Sequence, residues 1–151
     1  MKISVLALAW LLMSGAAHAQ PDRISVMLGS NHIGAKIPFE QANPGVLLTW
    51  EGDRIDWTAG AYRNSFGKLS ASVTVSLPLV RWDNGELAAF AGVAIYPGDG
   101  RSFAVHAGDL VPIGGLQLRQ GHAFVQVIPS DGRTVDAIVT FGLTFPIGDG
   151  F

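Results

Sequence analysis

From residue 24 onward, apolar and polar positions alternate with a period of two, interrupted by Gly, Pro and Asn. That period marks β-strands with unlike faces. Ile24, Val26 and Leu28 oppose Ser25, Met27 and Gly29. Val46, Leu48 and Trp50 oppose Thr49 and Glu51. Ile55, Trp57, Ala59 and Ala61 alternate with Asp56, Thr58, Gly60 and Tyr62. The clearest case sets Ser70, Ser72, Thr74 and Ser76 against Ala71, Val73, Val75 and Leu77. Leu87, Ala89, Ala91, Val93 and Ile95 continue one face, and Val139, Phe141, Leu143 and Phe145 close the series. Residues 103–111 and 116–128 flank Gly114-Gly115, which predicts a tight turn there. The total is about eight strands of roughly ten residues, the smallest common size of a membrane β-barrel.

The connections alternate in length. Gly52-Asp53, Trp82-Asp83-Asn84-Gly85 and Gly114-Gly115 are short, with Asn-Gly a strong hairpin signal. Residues 33–44, 65–69, 97–102 and 129–133 are mostly longer or rich in Pro and Gly. An outer-membrane barrel puts short turns at the periplasmic end and long loops outside.

Residues 1–19 read as a cleaved signal peptide: Lys2, an apolar run from Ile3 to Met13, and a small-x-small site at Ala17-His18-Ala19. The remaining 20–151 suffice for one barrel domain. Charged residues are 15% against 48% hydrophobic, a low charge content for a soluble chain. No stretch after the leader resembles a membrane helix, and a closed sheet is the other way to pair every backbone group in lipid. The expected location is therefore the outer membrane of a Gram-negative bacterium. The absence of cysteine excludes disulfides and thiolate sites. A net charge of −2 without a basic run argues against nucleic acid. No cofactor or metal is expected, and the barrel should be a monomer.

Strand counting gives the candidate chemistry. With the N-terminus in the periplasm, the first strand rises to His32, the second descends, and the third rises to Asn64 and Ser65. All three then meet at the outer rim. His32 reads as a base, Ser65 as a hydroxyl nucleophile, and Asn64 as the group that holds the imidazole or donates to an oxyanion. His106 is read as interior packing and His122 as a lumen or strand position. Arg63, Arg101 and Arg133 fall at the rim. Met27, Leu47, Phe90, Ala94, Phe124 and Ile128 are inward candidates, mixed with Ser70, Ser72, Thr74 and Thr140. Trp50, Trp57, Trp82 and Phe145 are assigned to interfacial belts.

The run Phe39-Glu40-Gln41-Ala42-Asn43-Pro44-Gly45, a strand ending at Trp50, a short acidic-Gly turn, and Ala59-Gly60-Ala61-Tyr62-Arg63-Asn64-Ser65-Phe66 resemble the lipid A palmitoyltransferase (PagP) family. The resemblance implies an eight-stranded outer-membrane barrel that moves an acyl chain from a phospholipid to lipid A at the outer leaflet. It places the family's essential His at His32 and its Asp-Ser pair at Asn64-Ser65, with Asn64 standing where the family is acidic. It also matches the family's Pro-marked lateral gaps to Pro112 and residues 127–129. The competing expectations are a non-enzymatic structural or protective outer-membrane barrel, and a soluble secreted barrel with its apolar faces inward.

Overall fold

The computed structural model describes residues 20–147. The predicted leader and the terminal Phe151 lie outside that range. The chain forms a closed antiparallel barrel in which each strand pairs with its sequence neighbours and the first with the last. The strands are β1 (Arg23–Ile33), β2 (Ala42–Trp50), β3 (Asp56–Arg63), β4 (Leu69–Trp82), β5 (Gly85–Ile95), β6 (Leu110–Gln120), β7 (Ala123–Pro129) and β8 (Ala137–Pro146). Residues 34–41, 64–68, 96–109 and 130–136 connect strands at one end, the long-loop end. Residues 51–55, 83–84 and 121–122 connect them at the other, the short-turn end.

Side-chain alternation sets what faces in and out. On β4, Ser70, Thr74 and Ser76 are buried while Ala71, Val73 and Leu77 are exposed. Val26, Leu28, Val46, Trp57, Val93, Leu116, Leu118, Val125, Phe141 and Leu143 are exposed around the outer wall. The interior carries a small apolar floor of Met27, Leu47 and Phe124, with Tyr62 packed on it. Hydroxyls and amides fill much of the remaining interior. Ser25 Oγ donates to Thr144 Oγ1 at 2.8 Å, Thr140 Oγ1 to Gln126 Oε1 at 3.0 Å, and Gln126 Nε2 to Gln117 Oε1 at 2.8 Å. Near the short-turn end, buried Glu86 is paired with Arg81 at 2.7 Å and Arg119 at 3.7 Å.

Several sequence expectations need correction. Gly114-Gly115 is not a turn: β6 runs straight through it and the chain reverses at residues 121–122. A Cβ on Gly115 would lie 1.9 Å from the Val127 carbonyl oxygen, so this glycine serves close strand approach. The turn itself uses Gly121 at φ 57°, which glycine adopts at no steric cost. Residues 103–109 form no long strand. They belong to a loop that includes a 3-10 turn at Gly100–Ser102, and Phe103 turns onto Phe66 and Tyr96. The Gly52-Asp53 hairpin is wider than two residues, because β3 starts only at Asp56, whose Oδ1 accepts the Gly52 N–H. His106 is exposed in the 96–109 loop rather than interior. His122 sits exposed at a turn, stacked on Phe145.

Two ladders stop short at the long-loop end. The β6–β7 pairing begins at Leu116↔Val127, leaving residues 110–115, with Pro112, paired only to β5. The β1–β2 pairing ends at Gly29↔Ala42, while Asn31, His32 and Ile33 continue to pair with β8.

Candidate functional site

The site is built where β1 ends and the β3–β4 loop begins. Strict alternation would place His32 on the outward face with Ile24, Val26 and Leu28, because Ser25 and Met27 point inward. A register shift between Met27 and Gly29 breaks that parity. Beyond this β-bulge, Gly29, Ser30 and His32 are buried while Asn31 is exposed. A bulge re-aims every later side chain on its strand, and here it brings the imidazole inward. Gly29 fits this arrangement, since a Cβ there would come within 2.6 Å of the Gln41 carbonyl oxygen.

Asn64 shapes the loop that carries Ser65. Its Oδ1 accepts the Phe66 N–H at 2.9 Å and the Lys68 N–H at 3.0 Å, an Asx-type turn. Gly67 supplies the left-handed residue at φ 79°. The Asn64 Nδ2 donates to Ser70 Oγ at 2.8 Å. The loop is tied to residues 34–41 through Glu40 N–H donating to the Ser65 carbonyl at 2.8 Å. Arg63 adds an ion pair to Glu40 at 3.1 Å.

This bracing brings His32 and Ser65 together, with Nε2 2.7 Å from Ser65 Oγ. Such a distance is a direct hydrogen bond and the reach a nucleophile–base pair requires. Phe39 stacks on the imidazole with ring centroids 4.3 Å apart and planes 10° from parallel. Phe66 packs edge-on against Phe39 at 5.6 Å, extending an aromatic group that includes Tyr96 and Phe103. The other ring nitrogen, His32 Nδ1, is buried without a hydrogen-bond partner among the described residues.

The structure thus brings His32 and Ser65 into contact, while Asn64 takes a different place from the one expected. Its side chain makes three bonds, to Ser70 and to its own loop, and none of them reaches the imidazole. Its side chain holds the turn that presents Ser65. Phe39 was not anticipated as a neighbour of His32. Its position depends on the 34–41 loop folding back through Glu40, which no local pattern announces.

Ser65 opens onto a cavity of about 60 Å3 in the upper barrel. Its lining includes Met27, Leu47, Tyr62, Phe90 and Tyr96 together with Ser72, Thr74 and Thr140. Buried Ser30 and Asn43 lie on the same wall, with Ser30 Oγ donating to Asn43 Oδ1 at 2.5 Å and Asn43 Nδ2 to the Arg63 carbonyl at 3.1 Å. Among the described residues no cluster of His, Cys, Asp and Glu could hold a metal ion. Of the other rim arginines, Arg101 and Arg133 are exposed in their loops. Compared with known proteins, the chain matches no family model and no curated protein.

Proposed function

We propose that this chain is an outer-membrane barrel that transfers or hydrolyses an acyl ester of an outer-leaflet lipid, with His32 and Ser65 as the reacting pair. Lipid A is the acceptor when the reaction is transfer, and a phospholipid is the acyl donor. The observation that carries this reading is the 2.7 Å contact of His32 Nε2 with Ser65 Oγ at the long-loop rim. The outward band of Val, Leu, Trp and Phe side chains supports a lipid-facing wall. An aqueous surface rarely carries so continuous an apolar belt. The short ladders beside Pro112 and beyond Gly29 support lateral passage of lipid to the rim.

In the reaction, Ser65 Oγ attacks the ester carbonyl carbon as its proton passes to His32 Nε2. The ester C–O bond then breaks, and the imidazolium returns that proton to the leaving oxygen. A water or an acceptor hydroxyl attacks the acyl-Ser65, gives its proton to Nε2, and releases Ser65, which takes the proton back. This sequence needs the neutral tautomer with the proton on Nδ1. Because Nδ1 has no acceptor among the described residues, that tautomer leaves a buried N–H unsatisfied at a cost on the order of 1–3 kcal/mol. The turnover should accordingly be slow compared with a triad that supplies a carboxylate.

The unpartnered Nδ1 is also the observation that favours a second reading, a non-catalytic barrel that stabilises the envelope. Lipid A mass spectrometry separates the two. Cells expressing the intact protein should show a changed acylation pattern relative to empty vector. The His32→Ala and Ser65→Ala variants, inserted at the same level, should not. A wild-type profile identical to empty vector would remove the catalytic reading.

A further inference from the structure

On the reading that Ser65 is the nucleophile, we infer that Asn43 is a further catalytic residue. Its side-chain amide donates a hydrogen bond to the oxyanion that forms as Ser65 attacks an ester. Attack on a carbonyl carbon pushes the C=O π pair onto oxygen, and a preorganised N–H aimed at that charge is usually the largest single aid to such a reaction. The need is acute here, because His32 Nδ1 has no partner among the described residues. Asn64, the amide expected for this role from the sequence, gives its Oδ1 to two N–H groups of its own loop and turns its Nδ2 to Ser70 on β4. Gln126 is bonded at both ends, through Thr140 and Gln117.

Asn43 is differently placed. It is 3% exposed and lines the same upper-barrel space as Ser65. The β2–β3 ladder ends at Gly45↔Tyr62, and Asn43 lies two residues beyond it, level with Asn64. Its amide is clamped at both ends. Oδ1 accepts from Ser30 Oγ at 2.5 Å, and Nδ2 donates to the Arg63 carbonyl at 3.1 Å. Ser30 lies two residues before His32 on the inward face of β1, and Arg63 two residues before Ser65. The amide therefore ties the strand that supplies the base to the strand that supplies the nucleophile. A carbonyl can only accept, so the Arg63 bond fixes the nitrogen on the β3 side. An amide nitrogen carries two hydrogens, and the second on Nδ2 has no partner among the described residues. A buried N–H left unmade is uncommon in folded proteins. Held rigid by two neighbours beside the nucleophile, it is a donor that an incoming oxyanion satisfies.

In the step, Ser65 Oγ bonds to the carbonyl carbon, His32 Nε2 takes the hydroxyl proton, and the former carbonyl oxygen carries the negative charge. The second Asn43 N–H donates to that oxygen and keeps its proton. Collapse restores the C=O bond and breaks the ester C–O bond, and the leaving oxygen takes the proton from Nε2.

The test uses the full barrel, folded in detergent micelles, with p-nitrophenyl palmitate and its thionoester, in which sulfur replaces the carbonyl oxygen. Release of nitrophenolate reads each rate, with Ser65→Ala as the background. Sulfur accepts hydrogen bonds weakly, so loss of an N–H donor slows the oxoester selectively, whereas a general loosening of the site slows both alike. Asn43→Ala should lower kcat for the oxoester about 100-fold with KM little changed, and should lower the oxoester-to-thionoester rate ratio by at least about tenfold. If that variant fails to fold, Asn43→Leu combined with Ser30→Ala removes the donor together with the hydroxyl it would strand, and should lower the ratio equally. A folded variant whose ratio equals that of the wild type would overturn the Asn43 assignment while leaving Ser65 and His32 in their roles. A wild type that cleaves neither ester above the Ser65→Ala background would instead remove the nucleophile, and the proposed function with it.

Discussion

Replacing Asn64 with Ala should destabilise the barrel far more than a loop substitution ordinarily does. Asn64 is 2% exposed, and its amide makes three bonds: to Ser70 Oγ at 2.8 Å, from Phe66 N–H at 2.9 Å and from Lys68 N–H at 3.0 Å. Ser70 is itself buried at 2%, so its stranded hydroxyl loses on the order of 1–3 kcal/mol. The two amide groups lie nearer solvent and lose about 0.5–1 kcal/mol each. Allowing for non-additivity between neighbours, the expected loss is about 3 kcal/mol. Asn64→Asp keeps the acceptor for both amides, and Ser70 can rotate its hydroxyl to donate, so it should cost less than the Ala variant. Urea unfolding followed by tryptophan fluorescence measures this, read as a shifted midpoint at unchanged slope. An Ala variant within about 0.5 kcal/mol of the wild type, the range of a neutral surface change, would refute the turn-holding role. So would an Asp variant that costs more than Ala.

Deleting Leu28 removes the extra residue of the β1 bulge, and strict alternation from inward Met27 through Gly29, Ser30 and Asn31 then still turns His32 inward. The expected result is a folded barrel, by far-ultraviolet circular dichroism, in which Ser65 still reacts with a fluorophosphonate; a folded barrel that no longer labels would contradict the assigned parity. Glu86→Gln leaves Arg81 and Arg119 without their shared carboxylate. Arg81 is half-exposed and keeps Asp56, so the loss should be about 1–3 kcal/mol, below that of a fully buried pair, and equal urea midpoints would argue against it. In the 130–136 loop, Asp131 accepts N–H bonds from Arg133 and Ala104, which hold its carboxyl below the usual carboxylate range. The stabilisation it gives is therefore present above its unfolded pKa of about 4 and lost as pH falls through the lower folded value. Hydrogen exchange of the Ala104 amide should accelerate in that acid window in the wild type, and Asp131→Asn should remove the pH dependence. An exchange profile of identical shape in both would contradict it.

How far the letters carried the fold is clearest on β4. Ser70, Ser72, Thr74 and Ser76 against Ala71, Val73, Val75 and Leu77 names both the strand and its two faces. Strand parity likewise put His32 and Ser65 at one end, because two reversals separate β1 from β3 and the two strands run the same way. The failures share a cause. Glycine serves both turns and close strand contacts, so Gly114-Gly115 and Gly121 are distinguishable only once Val127 is seen against Gly115. Phe103 and Val105 read as a strand because aromatic and branched residues favour one, yet Phe103 packs on Phe66 and Tyr96 instead. The bulge at Leu28 left only Gly29 and the polar run Ser30-Asn31-His32 as traces. Asn64 was legible as a rim residue, but the direction of its amide is fixed by an Asx turn that depends on Lys68 and Ser70.

The central claim is that apolar side chains of this barrel face lipid and thereby place the imidazole–hydroxyl pair at the membrane's outer surface. The chain has no cysteine, so single nitroxide labels at Val73→Cys, Val93→Cys and Phe141→Cys in bilayer vesicles report one site each. The account predicts that oxygen, concentrated in the acyl region, relaxes all three labels far more strongly than a water-soluble nickel chelate does. Labels that relax mainly with the chelate, on a protein that remains monodisperse in detergent-free buffer, would contradict it.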